Sequence, residues 1–261
     1  MILDIKNLNV SYCSEVGYVK ALENINLNLI QGEILGVVGE SGSGKSTLAY
    51  SILNLLPFDA KVSGEIIFKG KDMISSSNRE LEKVRGNRIS LIFQEPASTF
   101  NPVLSIGYQF NEVLKSKLNI KSQLMREQII FDSFKKVRLD EAERILVSYP
   151  HQLSGGQLQR AAIAMAIAFG PSFLIADEPT SSLDVTIESQ IIRLFKELKE
   201  DLNLTLMFIT HNLDLVKFLC DKVAVIYKGQ MREFKEREEL FHNPQDSYTK
   251  DLLSALGKLE E

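Results

Sequence analysis

Polar and apolar residues alternate in LDIKNLNVSY (3–12), in ALENINLNLI (21–30) and again in GEIIFKG (64–70). A period of two marks strands with one buried face. Five later runs are apolar almost throughout: EILGVVG (33–39), RISLIFQ (88–94), SFLIAD (172–177), LTLMFITH (204–211) and KVAVIYKG (222–229). Runs of this kind, closed by polar or glycine residues, fit strands covered on both faces of a parallel sheet. Helical spacing lies between several of them, over Thr47 to Leu56, Thr186 to Leu202 and Asn212 to Leu219. Strands alternating with helices predict an α/β fold with a mainly parallel sheet.

Between Gln94 and Leu153 the pattern changes. NPVLSIGYQFNEVLKSKL (101–118) and SQLMREQIIFDSFKKVRLDEAERIL (122–146) read as helices, with no convincing strand. This stretch is expected to form a helical insertion within the α/β core. Beyond about residue 235 the chain is charged and helical, broken once by Pro244.

At 261 residues the chain has room for one large domain or two small ones. A formal charge of −4 and a pI near 5.6 leave no overall basic footprint, which argues against wrapping nucleic acid by net electrostatics. The two cysteines, Cys13 and Cys220, lie far apart and form no ligand cluster, as expected in a reducing compartment. MILDIKNLNVSY lacks the basic start and apolar run of a signal peptide. The longest apolar stretch, AAIAMAIAF (161–169), falls far short of the ~20 residues that span a bilayer. The expectation is a cytoplasmic protein; at a membrane, other subunits would supply the spanning part.

GESGSGKST fits G-x-x-x-x-G-K-[ST] between an apolar strand and a helix. Gly39, Glu40, Ser41, Gly42, Ser43 and Gly44 would curl their backbone N–H groups around phosphate. Lys45 would reach the terminal phosphates, and Ser46 would place its hydroxyl on Mg²⁺, with Thr47 following in the helix. Asp177 and Glu178 leave a buried strand at the carboxyl edge, where open α/β sheets bind ligands. Asp177 suits the magnesium shell, and Glu178 suits a water attacking the γ-phosphate. Gln94 and His211 close two further apolar strands, so four strand ends present groups suited to phosphoryl chemistry.

LSGGQLQR (153–160) supplies a second anion-binding helix start. Ser154 and Gln157 have capping-box spacing, and a helix N-terminus attracts negative charge through its free donors and dipole.

Walker A (39–46), Gln94, LSGGQ (153–157), LIADEP (174–179), SSLD (181–184) and His211 resemble, in order and spacing, the ATP-binding cassette (ABC) ATPases. The resemblance covers essentially the whole chain. It implies a P-loop NTPase fold of the ABC nucleotide-binding type: a mainly parallel core sheet, an N-terminal antiparallel β subdomain and an inserted helical subdomain. That domain would span 1–235, with the helical subdomain at about 96–160 and a short helical tail at 236–261. The resemblance also implies ATP and Mg²⁺ as cofactors, Glu178 as catalytic base, His211 as switch histidine and Gln94 as the Q-loop residue. Ser46, Gln94 and Asp177 are the implied Mg²⁺ site, and Asp184 resembles the D-loop aspartate. SSLD carries serine at 182 where alanine is common. Tyr12 best matches the aromatic placed under adenine, and Tyr18 stands close enough to substitute. Leu153, Ser154, Gly155, Gly156 and Gln157 would cover the γ-phosphate held on a partner's P-loop, which implies a dimer.

FQEPASTFNPVLSIGYQF (93–110), LIADEPTSSLDVTIESQIIRLFKEL (174–198) and LFHNPQDSYTKDLLSAL (240–256) are similar to stretches in oligopeptide, dipeptide and nickel importer ATPases. That resemblance implies a second ATPase subunit, alike or different, two membrane permease subunits and, indirectly, an extracytoplasmic substrate-binding protein. It places the chain at the cytoplasmic face of the cell membrane, with no nucleic-acid partner. Many such ATPases continue into a cysteine-rich extension; the ending GKLEE has no such cysteines, so no iron–sulfur cluster is expected. The alternatives are an exporter-type ATPase, which shares every catalytic motif, and a non-transport cassette. Long heptads or a second Walker A would favour the latter, and neither occurs.

Overall fold

The computed structural model describes residues 1–15, 17–118 and 120–257. The chain opens with two long strands, β1 (Leu3–Ser14) and β2 (Gly17–Leu29), then the buried β3 (Ile34–Val38) and helix α1 (Lys45–Ile52). Strands β4 (Lys61–Phe68) and β5 (Lys71–Asp72), helix α2 (Asn78–Val84) and strand β6 (Ile89–Ile92) follow. Five helices come next: α3 (Pro96–Thr99), α4 (Ile106–Leu118), α5 (Gln123–Lys136), α6 (Ala142–Val147) and α7 (Gly155–Ile167). Then come β7 (Phe173–Asp177), α8 (Val185–Leu202), β8 (Thr205–Ile209), α9 (Leu213–Leu219) and β9 (Lys222–Tyr227). Strand β10 (Gln230–Glu236) and helices α10 (Arg237–His242) and α11 (Ser247–Gly257) complete the order. The last four residues of the expected tail, 258–261, lie outside the described residues.

The chain divides into two units, Met1–Glu82 with Thr205–Glu261, and Lys83–Leu204. Strands in the first unit run in the order β5-β4-β1-β2-β10-β9-β3-β8. Strand β1 is antiparallel to β2 and β4, whereas β3 lies parallel between β8 and β9. Every residue of β3 and β8 is buried, which explains their unbroken apolar sequences. On β1 the alternation puts Leu3, Ile5, Leu8 and Val10 inside. Asn7 and Asn24, both with positive φ, accompany the bulges that keep that alternation in register.

Two elements escape the hydrophobic pattern. Strand β10, QMREFKE, is mostly charged and buries only Glu233. It forms because Lys228 (φ 46°) and Gly229 (φ 78°) make a two-residue turn with positive φ at both positions, returning the chain antiparallel to β9. A side chain at 229 would also meet the Ala21 carbonyl oxygen at 2.7 Å. Helix α2 is short and mostly charged, with an apolar signal of only two residues, the buried Leu81 and Val84. Helix α1 begins at Lys45, ahead of the expected Thr47, and Asn54 (φ 50°) ends helical geometry before Leu56.

In the second unit β6 and β7 pair in parallel, with Ile92 opposite Ala176. No strand occurs between them among the described residues; the segment is helical, as its spacing predicts. Phe110 of α4 meets Phe134 of α5 edge-on at 5.4 Å, and both rings are buried. Helix α8 buries Ile191, Ile192, Leu194, Phe195 and Leu198 along one face, so an 18-residue helix is held by a single apolar stripe.

Candidate functional site

The glycine loop leaves the carboxyl end of β3 and enters α1. Gly39 has φ 149°, and a Cβ there would lie 2.0 Å from the Ile226 carbonyl oxygen, so only glycine allows β9 to approach this closely. Helix α1 starts on Gly44 with no side-chain cap and no acidic residue in its first turn. Its N-terminal donors are therefore left to a ligand, in the field of the helix dipole. Lys45 is 5% exposed, and its ammonium donates to the carbonyl oxygens of Gly39 and Glu40, 2.8 Å each. The buried Ser43 hydroxyl has no hydrogen-bond partner among the described residues. Open donors, a sequestered cation and an orphaned hydroxyl together fit a bound phosphate chain.

Two flanking residues belong to the same unit. The Tyr12 hydroxyl donates to the Thr47 hydroxyl oxygen at 3.2 Å, tying the end of β1 to α1. Tyr18, which the resemblance gave as a substitute for Tyr12, lies beneath the Lys61 ammonium, 3.6 Å from its ring centre. His211 is exposed two residues beyond β8, which runs parallel to β3 with Ile209 opposite Val37. The P-loop and His211 thus leave one edge of the sheet.

The second unit holds another pair of strand ends. Asp177 ends β7 and is buried, whereas Glu178 sits just beyond it with φ 45°. A non-glycine residue in this left-handed region is strained, a feature concentrated at functional positions. Gln94 lies two residues past β6, and its amide nitrogen donates to Glu178 Oε2 at 3.4 Å. The side-chain oxygens of Gln94, Asp177 and Ser46 are hard donors of the kind that suit Mg²⁺.

The signature forms the capping box that its sequence predicts. Ser154 Oγ accepts from the Gln157 N–H at 3.3 Å, and Gln157 Oε1 accepts from the Ser154 N–H at 3.1 Å. Gly156 has a second role: a Cβ there would meet Ile187 Cγ2 of α8 at 2.9 Å. Asp184 accepts from the Ile187 N–H at 3.0 Å and is the N-cap of α8.

One contact had no signal in the sequence. The Glu40 N–H donates to the Tyr248 hydroxyl at 3.3 Å, and the Tyr248 ring stacks on Tyr227 at 4.1 Å between centres. The tail motif NPQDSYTKDLL identified Tyr248 only as part of a resemblance; its P-loop contact depends on how the tail packs.

A strand–loop–helix phosphate cradle at the parallel strands of a mixed sheet defines a P-loop nucleotide-binding protein. Residues 22–181 match the family described as ABC transporter. The chain belongs to the ABC transporter family, as an ATP-hydrolysing cassette. It is 40% identical to the oligopeptide transport ATP-binding protein OppD of Haemophilus influenzae, over 99% of this chain and 80% of that one. It is 41% identical to the dipeptide transport ATP-binding protein DppD of Bacillus subtilis, over 99% of this chain and 78% of that one. Its fold is similar to that of a dimeric ATP-binding cassette solved in a post-hydrolysis state bound to ADP and Pi. That similarity has a TM-score of 0.80 and 30% identity, and covers 90% of this chain and 99% of the other.

Proposed function

We propose that this ATPase powers import of oligopeptides or dipeptides through separate membrane permease subunits, working as one of two paired cassettes at the cytoplasmic face of the membrane. Near full-length identity of about 40% to peptide transport ATP-binding proteins carries this reading. The matched region includes the tail segment 240–256. No described helix is long and apolar enough to cross a membrane, so the permeation path belongs to other chains in this reading. Residues 1–235 would form the cassette and 236–261 its importer-type tail.

In the proposed cycle, N–H groups of residues 39–44 and the Lys45 ammonium hold the β- and γ-phosphates, with Tyr12 stacked on adenine. Ser46, Asp177 and Gln94 would hold Mg²⁺, which neutralises charge developing on the phosphates. The Glu178 carboxylate takes the proton of the attacking water, Gln94 orients that carboxylate, and His211 donates to the γ-phosphate. Residues 153–157 cover the γ-phosphate bound to the partner cassette, and Asp184 serves as the D-loop aspartate. ATP then closes two cassettes, and its hydrolysis reopens them.

Co-purification from membranes under mild detergent tests the transport assignment. The expected result is two permease chains and a second cassette, with peptide-stimulated ATP turnover in the reconstituted complex. Recovery of the chain with no membrane protein would overturn it.

A further inference from the structure

Residue Glu40 is gripped at both ends of its backbone. Its N–H donates to the Tyr248 hydroxyl at 3.3 Å, and its carbonyl oxygen accepts from the Lys45 ammonium at 2.8 Å. The tail is therefore one hydrogen bond away from the residue that cradles the P-loop lysine. We propose that Tyr248 is a positioning residue for the P-loop: the C-terminal segment sets the loop's geometry through Glu40 and thereby tunes nucleotide affinity. The proposal rests on the ATPase reading of the P-loop and deepens it.

Three further observations show that Tyr248 is placed, and not merely nearby. Glu233 of β10, whose side chain is 5% exposed, accepts from the N–H groups of Gln245 at 2.9 Å and Asp246 at 3.2 Å. That carboxylate fastens the turn after Pro244 to the sheet. Asp246 Oδ1 then accepts from the Tyr248 N–H at 2.9 Å and the Thr249 N–H at 3.3 Å, fixing the start of α11. Finally, the ring lies on Tyr227 at the end of β9, and β9 is the strand whose Ile226 carbonyl presses against Gly39. Burial raises the phenol's pKa, so the hydroxyl stays protonated at neutral pH while it accepts from the loop.

Tyr248→Phe keeps the stacked ring and removes the acceptor, which separates loop positioning from simple packing. The measurements are ATP affinity, kcat and KM, thermal unfolding, and amide hydrogen exchange at Glu40, all on the full chain. The expected result is ATP binding weakened about threefold to tenfold, the range for one lost hydrogen bond. KM should rise with it, kcat at saturating ATP should hold, and exchange at Glu40 should quicken while the melting temperature falls by no more than a few degrees. Tyr248→Ala, which also loses the stack, should weaken binding further. ATP affinity and Glu40 exchange that match the unaltered chain in the Phe variant would overturn the positioning role. If Lys45→Ala binds ATP as well as the unaltered chain does, the P-loop reading falls and takes this proposal with it. Lys45-dependent binding that ignores Tyr248 sinks this proposal alone.

Discussion

Gln94 and Glu178, 84 residues apart in sequence, meet through a 3.4 Å hydrogen bond from amide to carboxylate. Parallel pairing of β6 with β7 brings them together, since each lies just past the end of its strand. The left-handed backbone at Glu178 turns the chain sharply at that point. A glutamine that leans on the proposed base can report what occupies the site and keep the carboxylate aimed.

Glu178→Gln is expected to lower ATP turnover by about 10²- to 10⁴-fold, the usual worth of a general base. The isosteric amide keeps the local geometry, so ATP affinity should stay within about twofold of the parent. Equilibrium nucleotide binding and phosphate release, measured side by side, check the split. Undiminished turnover rejects Glu178 as the base.

Asp184 is both the proposed D-loop aspartate and the N-cap of α8. Asp184→Asn keeps a capping oxygen and should leave stability nearly unchanged, whereas Asp184→Ala should cost about 1 kcal/mol. Denaturant unfolding gives the stability. A loss of turnover in the Asn variant at full stability would assign the charge to catalysis or coupling.

Gln159 in α7 is fully buried, and neither its amide oxygen nor its nitrogen has a partner among the described residues. An unpaired buried amide carries a desolvation penalty of about 1–3 kcal/mol. Gln159→Met, close in volume, should therefore raise stability by about 1 kcal/mol or more. A destabilised Met variant would show that the amide is satisfied in solution.

Glu233 gives the tail a pH dependence. Burial pushes its pKa up, but the hydrogen bonds it accepts from Gln245 and Asp246, with the Lys235 ammonium nearby, leave it below the ordinary value. Its contribution is complete above the unfolded pKa of about 4.3 and is lost as pH falls through the lower folded value. Glu233→Gln should therefore unfold more easily than the parent at pH 7, with the gap closing in strong acid. Parallel unfolding curves at the two pH values check the sign.

In the dimeric reading each ATP is completed by two chains, so specific activity should rise with protein concentration until dimers saturate. Light scattering and phosphate release measured over one dilution series test this. Full activity at dilutions that contain only monomer contradicts the shared site.

Local chemistry was legible without a fold. The apolar runs of β3, β7 and β8 mark strands because burial on both faces excludes polar side chains. Ser154 and Gln157 announce a helix start because a capping box needs only residues three apart. The P-loop likewise contains its donors, its lysine and its glycines within nine consecutive residues.

Relationships that depend on which elements become neighbours were decided only by the tertiary structure. Strand β10 is too charged to show itself and exists because a turn at Lys228 and Gly229 lays it against β9. Gly156 looks like a bare anion contact in sequence, but its lack of a side chain also makes room for Ile187. Tyr12, the better match in sequence, bonds Thr47 of α1, whereas Tyr18 lies under Lys61, and neither contact could be read from the sequence. Tyr248 reaches Glu40 across 208 residues, through a buried carboxylate and a stacked ring. The sequence determined the parts of a phosphate-handling site because each part is encoded by near neighbours. Packing decided what holds those parts in place, because close approach of distant segments leaves no local pattern to read.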